Sequence, residues 1–319
     1  MDRFEGSDSF AKERGRATVV AIGIFDGVHL GHQELMRRAS EEAGRLSAKS
    51  VVYTFEPHPV KILSPEQCPL LITTREQKLA QMENQGIDAV IVEPFTQQLS
   101  RQSPQEFMSS IVMERLGARA VTIGYDFTFG LHRQGTIETF EELGTVHGVE
   151  VVVVPAVFAD ETLISSTVIR QMISAGEVQR ASMLLGRPYE ATGSVIPGRG
   201  FGMTLAARTA NLRLESEIVP KDGVYITRTL VHPDGYDRAG AKAYPSVTSV
   251  GNNPTFADNP HSVETHLIDE EVEIKGRRLS IEFISHMHDQ VRFTSVDELR
   301  SQIHRDIDAA REFHGRAGS

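Results

Sequence analysis

The sequence is poor in the features that mark secreted, membrane-spanning or nucleic-acid-coating proteins. Its 319 residues include no tryptophan and one cysteine, Cys68. A single thiol excludes an intrachain disulfide and suits a reducing compartment, so a soluble, cytoplasmic protein is expected. No stretch approaches the roughly 18 consecutive apolar residues that signal a membrane span. The polar start MDRFEGSDSFAKERGR also lacks the apolar core of a secretory leader. Neither targeting nor membrane association is expected. Acidic residues outnumber basic ones, 43 to 33, for a formal net charge of -10. That balance repels a polyanionic backbone, and nucleic acid is not an expected partner. There is no convincing internal repeat or low-complexity tract, although residues 193–211 are rich in Gly, Ala and Arg.

What is present fits two ordinary globular domains: enough length, and a hydrophobic fraction of 40%. The first half alternates short apolar runs with amphipathic segments. Residues 17–25 (ATVVAIGIF), 51–55 (VVYTF), 89–92 (AVIV), 120–123 (AVTI) and 149–155 (VEVVVVP) read as strands suited to burial on both faces. Helical spacing fills the gaps after His32, over 74–85 and over 104–116. Five strands with intervening helices predict an α/β, Rossmann-like domain, with ligands at the carboxyl ends of the strands. The segment after Gly23, Asp126 and the segment at Ser165 are expected to converge there.

Composition shifts over 186–193 (GRPYEATG), a turn-rich stretch that places the domain boundary at 187/188. The expected domains are therefore 1–187 and 188–319. Beyond the boundary, 223–227, 246–250, 263–268 and 279–284 read as short alternating strands of a small β-barrel. One C-terminal helix closes the chain. Ser295 with Glu298 forms its capping box, and Leu299, Ile303, Ile307 and Ala310 share a face.

The segment at 23–32, GIFDGVHLGH, is neither a GxGxxG fingerprint nor a P-loop ending in GK[ST]. A glycine turn leaving a buried strand puts His29 and His32 at the start of the next helix, beside backbone N–H groups that suit phosphate. A helix-capping histidine or a metal-ligand pair are the alternative readings of these two rings.

The pattern G-x-F-D-G-V-H-x-G-H resembles the signature of the HxGH nucleotidyltransferases, specifically the FMN adenylyltransferase part of bacterial riboflavin kinase/FAD synthetases. Three further blocks match that family in order: 54–59 (TFEPHP), 124–135 (GYDFTFGLHRQG) and 164–170 (ISSTVIR). The resemblance implies transfer of the adenylyl group of ATP to FMN. The attacking FMN phosphate is already anionic, so the reaction needs positioning and charge stabilisation rather than a base. It implies catalytic roles for His29, His32 and Arg170. ATP or phosphate would be held by Gly23, Phe25, Asp26, Gly27, Ser165, Ser166, Thr167 and Arg133. Flavin would be held by His58, Asp126, Phe127 and Phe129, with at most one of the two phenylalanines a ligand contact. Ordinary N-capping by the Ser165 segment and a rigid structural turn at His58 are the plainer alternatives.

The second half resembles the riboflavin kinase module of the same enzymes through RTANL at 208–212, GVY at 223–225, NPTF at 253–256 and ETH at 264–266. Its acceptor would be the neutral 5′-hydroxyl of riboflavin, which must lose a proton, and Glu264 is the expected base. On a strand Ser262, Glu264 and His266 share one face, so a merely solvated carboxylate is the alternative. Thr209 and Asn211 would supply oxygen ligands to a Mg²⁺ bridging ATP phosphates. The chain departs from the kinase pattern at Ala206, Ala207 and Arg208, and in the C-terminal loop at His288 and Gln290. The expectation is thus a two-step enzyme acting on riboflavin, FMN, FAD and ATP. An FAD synthetase with an impaired kinase barrel and a non-catalytic flavin-binding protein are the rivals.

Overall fold

The computed structural model describes residues 1–13, 15–196, 209–251, 262–270 and 272–317. The chain forms two compact units, one of residues 1–69 with 78–164, the other of 70–77 with 165–319.

The first unit is a six-stranded, wholly parallel sheet made of β1 (Asp2–Glu5), β2 (Thr18–Ile22), β3 (Lys49–Glu56), β4 (Ala89–Pro94), β5 (Ala118–Gly124) and β6 (Glu150–Val154). The spatial order is β1-β4-β3-β2-β5-β6. The five apolar runs became β2 to β6. The sixth strand, β1, was not expected: its DRFE sequence is polar and it sits at the sheet edge, where only Phe4 is even partly buried. One core layer contains Phe10, Tyr53, Phe107, Phe129 and Phe140, and the other Phe25, Met36, Met82 and Val154. The segment expected as one helix over 104–116 begins as an α-turn, Pro104–Glu106, and continues as a π-helix over Phe107–Arg115. Its wide turns end where the Leu116 N–H donates to the Ile111 carbonyl, five residues back. A two-stranded hairpin of β7 (Phe158–Ala159) and β8 (Thr162–Leu163) follows the sheet.

The second unit is a closed barrel of six antiparallel strands: β9 (Tyr189–Ile196), β10 (Thr209–Leu214), β11 (Gly223–Val231), β12 (Lys242–Gly251), β13 (Ser262–Leu267) and β14 (Arg278–His288). The stretch taken as turn-rich at 186–193 is largely β9. Gly193 lies within that strand because a Cβ there would stand 2.6 Å from the Arg213 carbonyl of β10. The barrel interior is lined by hydroxyls. Thr227 bonds Ser246 and Thr248 at 2.8 Å, Thr229 bonds Ser246 at 2.8 Å and Thr265 at 3.1 Å, and Thr248 bonds Thr265 at 3.0 Å. All five residues are fully buried, and each hydroxyl finds its partner on a neighbouring strand.

The segment 70–77 is tied to the barrel by Gln77, whose buried amide donates to Thr192 Oγ1 at 2.8 Å and to the Glu190 carbonyl at 3.1 Å. Glu190 stands opposite Glu282 across β9 and β14, and Arg238 bridges the two carboxylates. The C-terminal helix, Val296–Ala317, lays Ile307 and Ala310 on Ile226, Val247 and Ile268 of the barrel. Its cap differs from the simple box. The Glu298 N–H donates to Ser295, while the Glu298 carboxylate accepts from the N–H and hydroxyl of Thr294.

Candidate active sites

In the first unit β2 lies between β3 and β5, so the order of strands along the chain reverses beside it. The loops leaving the carboxyl ends of β2, β3 and β5 carry GIFDGVHLGH, TFEPHP and GYDFTFG, three of the four blocks read from the sequence. Two bonds tie the first two together: the Gly23 N–H donates to the Tyr53 carbonyl at 3.2 Å, and the Thr54 hydroxyl to the Ile24 carbonyl at 3.0 Å.

The loop between Gly23 and His29 is strained. Phe25 (φ 57°) and Val28 (φ 41°) are both in the left-handed region, Val28 despite its β-branch, and both are fully buried. Such residues each cost on the order of 1–3 kcal/mol and persist only where their surroundings hold them. Gly27 (φ 83°) absorbs the third such turn at little cost. The outcome is the placement of His29, 94% buried, as N-cap of the helix Leu30–Leu46. Its Nδ1 accepts the His32 backbone N–H at 3.3 Å. Acceptance requires a lone pair on Nδ1, so the neutral ring carries its proton on Nε2. The His29 and His32 rings stack at 3.6 Å and 16°, and Phe25 packs on His32 at 5.2 Å. The capping reading of His29 is therefore realised, and it fixes the ring that would meet phosphate. Gly31 explains the third letter of HxGH: a Cβ there would stand 3.2 Å from His29 Cε1 and 3.3 Å from Nδ1.

Asp26 is buried in the same loop, while Asp126 is exposed in the turn after β5. Phe129 is core, packed on Phe107 and Phe140 at 5.6 and 4.9 Å. Phe127 is half-buried and stacks on Phe129 at 5.6 Å. Of the two rings it is the more exposed. His58 caps the short helix Pro59–Leu63 by accepting the Val60 N–H at Nδ1, the structural turn that the sequence allowed. Arg133 is exposed on the turn Leu131–Arg133 and donates to Thr128 Oγ1 at 2.9 Å.

In the second unit Ser165 caps the helix Ser166–Ser174, accepting the Val168 N–H at 3.3 Å, with Ser166 and Thr167 in the first turn. Arg170 follows one turn on, and its Nε donates to the Leu70 carbonyl at 2.8 Å, which fixes the plane of the guanidinium.

On the barrel, Asn211 of β10 and Ser249 of β12 are the direct cross-strand partners of Glu264 on β13. Thr209 shares its strand face with Asn211, while Ala210 and Leu212 point into the core. Glu264, the expected base, and the expected metal ligands thus lie on one outward face. Burial pushes the Glu264 carboxyl above its ordinary range, and a 3.2 Å hydrogen bond from Ser262 opposes the shift. Gln290 reaches the same face, donating to Ser249 Oγ at 2.8 Å and to the Val250 carbonyl at 3.1 Å. His288 instead faces the C-terminal helix: Nε2 is 3.0 Å from Asp306, and Nδ1 is 2.9 Å from the Asp289 carbonyl. Ala206, Ala207, Arg208 and the NPTF block at 253–256 lie outside the described residues.

Comparison with known proteins decides the family. The pattern described as FAD synthetase matches residues 11–168, and that described as riboflavin kinase matches 185–314. The bifunctional riboflavin kinase/FMN adenylyltransferase of Escherichia coli K12 is 30% identical over 99% of this chain and 98% of its own length. That of Pseudomonas fluorescens is 34% identical over 93% of each. The chain belongs to the bifunctional riboflavin kinase/FMN adenylyltransferase family. A solved structure from Streptococcus pneumoniae described as a macrolide-efflux protein shares the fold of this family member, with a TM-score of 0.83 and 30% identity over 97% of this chain and 98% of that one. Among the described residues of the present chain, no helix is long and apolar enough to cross a membrane.

Proposed function

We infer that the protein makes flavin cofactors in two ATP-dependent steps, phosphorylating riboflavin to FMN and adenylylating FMN to FAD. The observation that carries this reading is the pairing of a strained HxGH loop in one unit with a half-buried carboxylate, Glu264, on the barrel of the other.

In the kinase step the riboflavin 5′-oxygen forms a bond to the γ-phosphorus of ATP. Its proton passes to Glu264, and the bond from the γ-phosphorus to the β,γ-bridging oxygen breaks to release ADP. The raised pKa of Glu264 suits it to accept that proton. Thr209 and Asn211 offer neutral oxygen donors on the same face, which fits a Mg²⁺ held mainly by phosphates and water. When bound, that ion would neutralise phosphate charge.

In the adenylyl step a phosphate oxygen of FMN bonds to the α-phosphorus of a second ATP, and pyrophosphate leaves. No proton need be removed. In the first unit His29, through Nε2–H, and His32 are the proposed donors to the phosphates, with Gly23, Phe25, Asp26 and Gly27 shaping the same loop; in the second, Arg170 with Ser165, Ser166 and Thr167 at a helix start is assigned to phosphate as well. Arg133 adds a surface cation. Phe127 is the ring offered to the isoalloxazine, with Asp126 next to it in the loop after β5 and His58 in the loop after β3 as further flavin contacts, whereas Phe129 serves the core. We assign 1–187 to adenylyl transfer and 188–319 to the kinase, and place both in the cytoplasm, where the lone thiol of Cys68 stays reduced.

The test is chromatographic. Riboflavin with Mg-ATP should yield FMN and then FAD. Glu264→Gln should lose FMN formation by at least about a hundredfold yet still convert supplied FMN to FAD. Undiminished FMN production by that variant would refute the base assignment.

A further inference from the structure

We propose that Ser262 is the positioning residue for Glu264 in riboflavin phosphorylation, holding one carboxylate oxygen so that the other meets the 5′-hydroxyl. The inference rests on the reading of Glu264 as the base.

The two side chains are two residues apart on β13, and so emerge on the same face. Ser262 Oγ lies 3.2 Å from Glu264 Oε1 and 3.4 Å from the carbonyl of Gly251, its direct cross-strand partner on β12. A hydroxyl has one proton to give. The shorter path leads to the carboxylate, and an ionised acceptor binds a hydroxyl more strongly than a neutral carbonyl. Ser262 therefore donates to Oε1 while Glu264 is charged. Once Glu264 has taken the substrate proton, that preference weakens and the Gly251 carbonyl, already within reach, becomes the alternative acceptor. The hydroxyl is thus satisfied before and after proton transfer without movement of the strand.

The need for such an anchor follows from the glutamate itself. Three side-chain torsions separate its carboxylate from the backbone, and general-base catalysis requires a heavy-atom approach within hydrogen-bond reach. Its cross-strand neighbours Asn211 and Ser249 also carry donors, but the hydrogen bond that the structure forms to the Glu264 carboxylate comes from Ser262. Ser262 is the hydroxyl that the structure aims at Oε1.

The experiment compares Ser262→Ala, Ser262→Thr and Glu264→Gln in the full-length protein. FMN formation is followed at varied riboflavin and Mg-ATP, and FAD formation from supplied FMN serves as internal control. Ser262→Ala should lower kcat for FMN formation by about tenfold, a fraction of the roughly 10²–10⁴ that a base contributes. The KM values for riboflavin and ATP, the riboflavin fluorescence titration and the thermal midpoint should stay at parent values. Ser262→Thr keeps the hydroxyl and should recover most of kcat. An unchanged kcat in Ser262→Ala, a loss confined to KM, or no recovery in Ser262→Thr would overturn the proposal. If Glu264→Gln still makes FMN, the base reading itself falls. If Glu264→Gln is inactive and Ser262→Ala is normal, only the positioning role falls.

Discussion

Adding one methyl group to HxGH, Gly31→Ala, should separate stability from adenylyl transfer. Gly31 is the second residue of the helix Leu30–Leu46, and its φ is not in the left-handed region. Alanine is therefore allowed by the backbone and favoured by helix propensity, by up to about 1 kcal/mol. The new Cβ would stand 3.2 and 3.3 Å from two atoms of the His29 ring, against ordinary contacts of 3.4–4 Å. The ring must retreat by a few tenths of an ångström. That weakens the 3.3 Å bond from the His32 N–H to Nδ1, whose complete loss would cost about 1 kcal/mol. The two terms nearly cancel, and the thermal midpoint should move by no more than about 3 °C. Catalysis has no such compensation. A displacement of about 1 Å from reacting groups can cost roughly a hundredfold, so a few tenths should cost about three- to tenfold, or about 0.7–1.4 kcal/mol of transition-state stabilisation. The assay is FAD formation from supplied FMN and Mg-ATP, with FMN formation from riboflavin as the internal standard. A variant that makes FAD at the parent rate would refute the claim that the position of the His29 ring limits the reaction.

Gly135→Ala should destabilise the first unit by about 1–3 kcal/mol, because its Cβ would lie 2.4 Å from the buried Phe129 ring. Urea unfolding should show a lower midpoint at unchanged slope. The His288 contact predicts a pH effect. Burial opposes its charged form, but the Asp289 carbonyl and the Asp306 carboxylate outweigh burial and raise its pKa. A raised folded pKa gives stabilisation that is complete below the ordinary imidazole value of about 6.5 and fades as pH rises through the higher folded value. The urea midpoint of the parent should therefore lose ground relative to His288→Gln as pH rises above about 6.5. Parallel pH dependences in the two proteins would show that the contact contributes nothing.

The sequence revealed the parallel strands because they are buried on both faces and read as unbroken Val and Ile runs. It hid β9 for the opposite reason. Glu190 and Thr192 sit on the outer face of the barrel, yet they are buried beneath Gln77, Tyr236 and Arg238, so neither alternation nor hydrophobicity marked the strand. At the sites, residue type was legible and mutual placement was not. His29, Glu264 and Ser165 could be named from their motifs. The placement of Glu264 opposite Asn211 and Ser249 depends on barrel register across separated segments, and the pairing of His288 with Asp306 depends on how the last helix lies on the barrel. Ser262 was the exception, visible as a residue two places from Glu264 on the same strand face.

The two sites differ in architecture as their reactions differ in need. Adenylyl transfer to an anionic phosphate requires donors held rigidly where charge develops. In the proposed mechanism the first unit supplies such donors from a loop with Phe25 and Val28 in strained conformations and an imidazole locked as a helix cap. A ring held in this way has little freedom to reorganise during the reaction. Phosphorylation of a neutral hydroxyl requires a basic group instead. In the proposed mechanism the barrel supplies it from a regular strand, where partial burial raises the Glu264 pKa and Ser262 holds one of its carboxylate oxygens. Crowding the His29 ring from Gly31 should therefore impair the first reaction and spare the second, whereas removing one hydroxyl at Ser262 should do the reverse. Were both substitutions to slow both reactions equally, the separation of rigid positioning from basicity would be wrong for this enzyme.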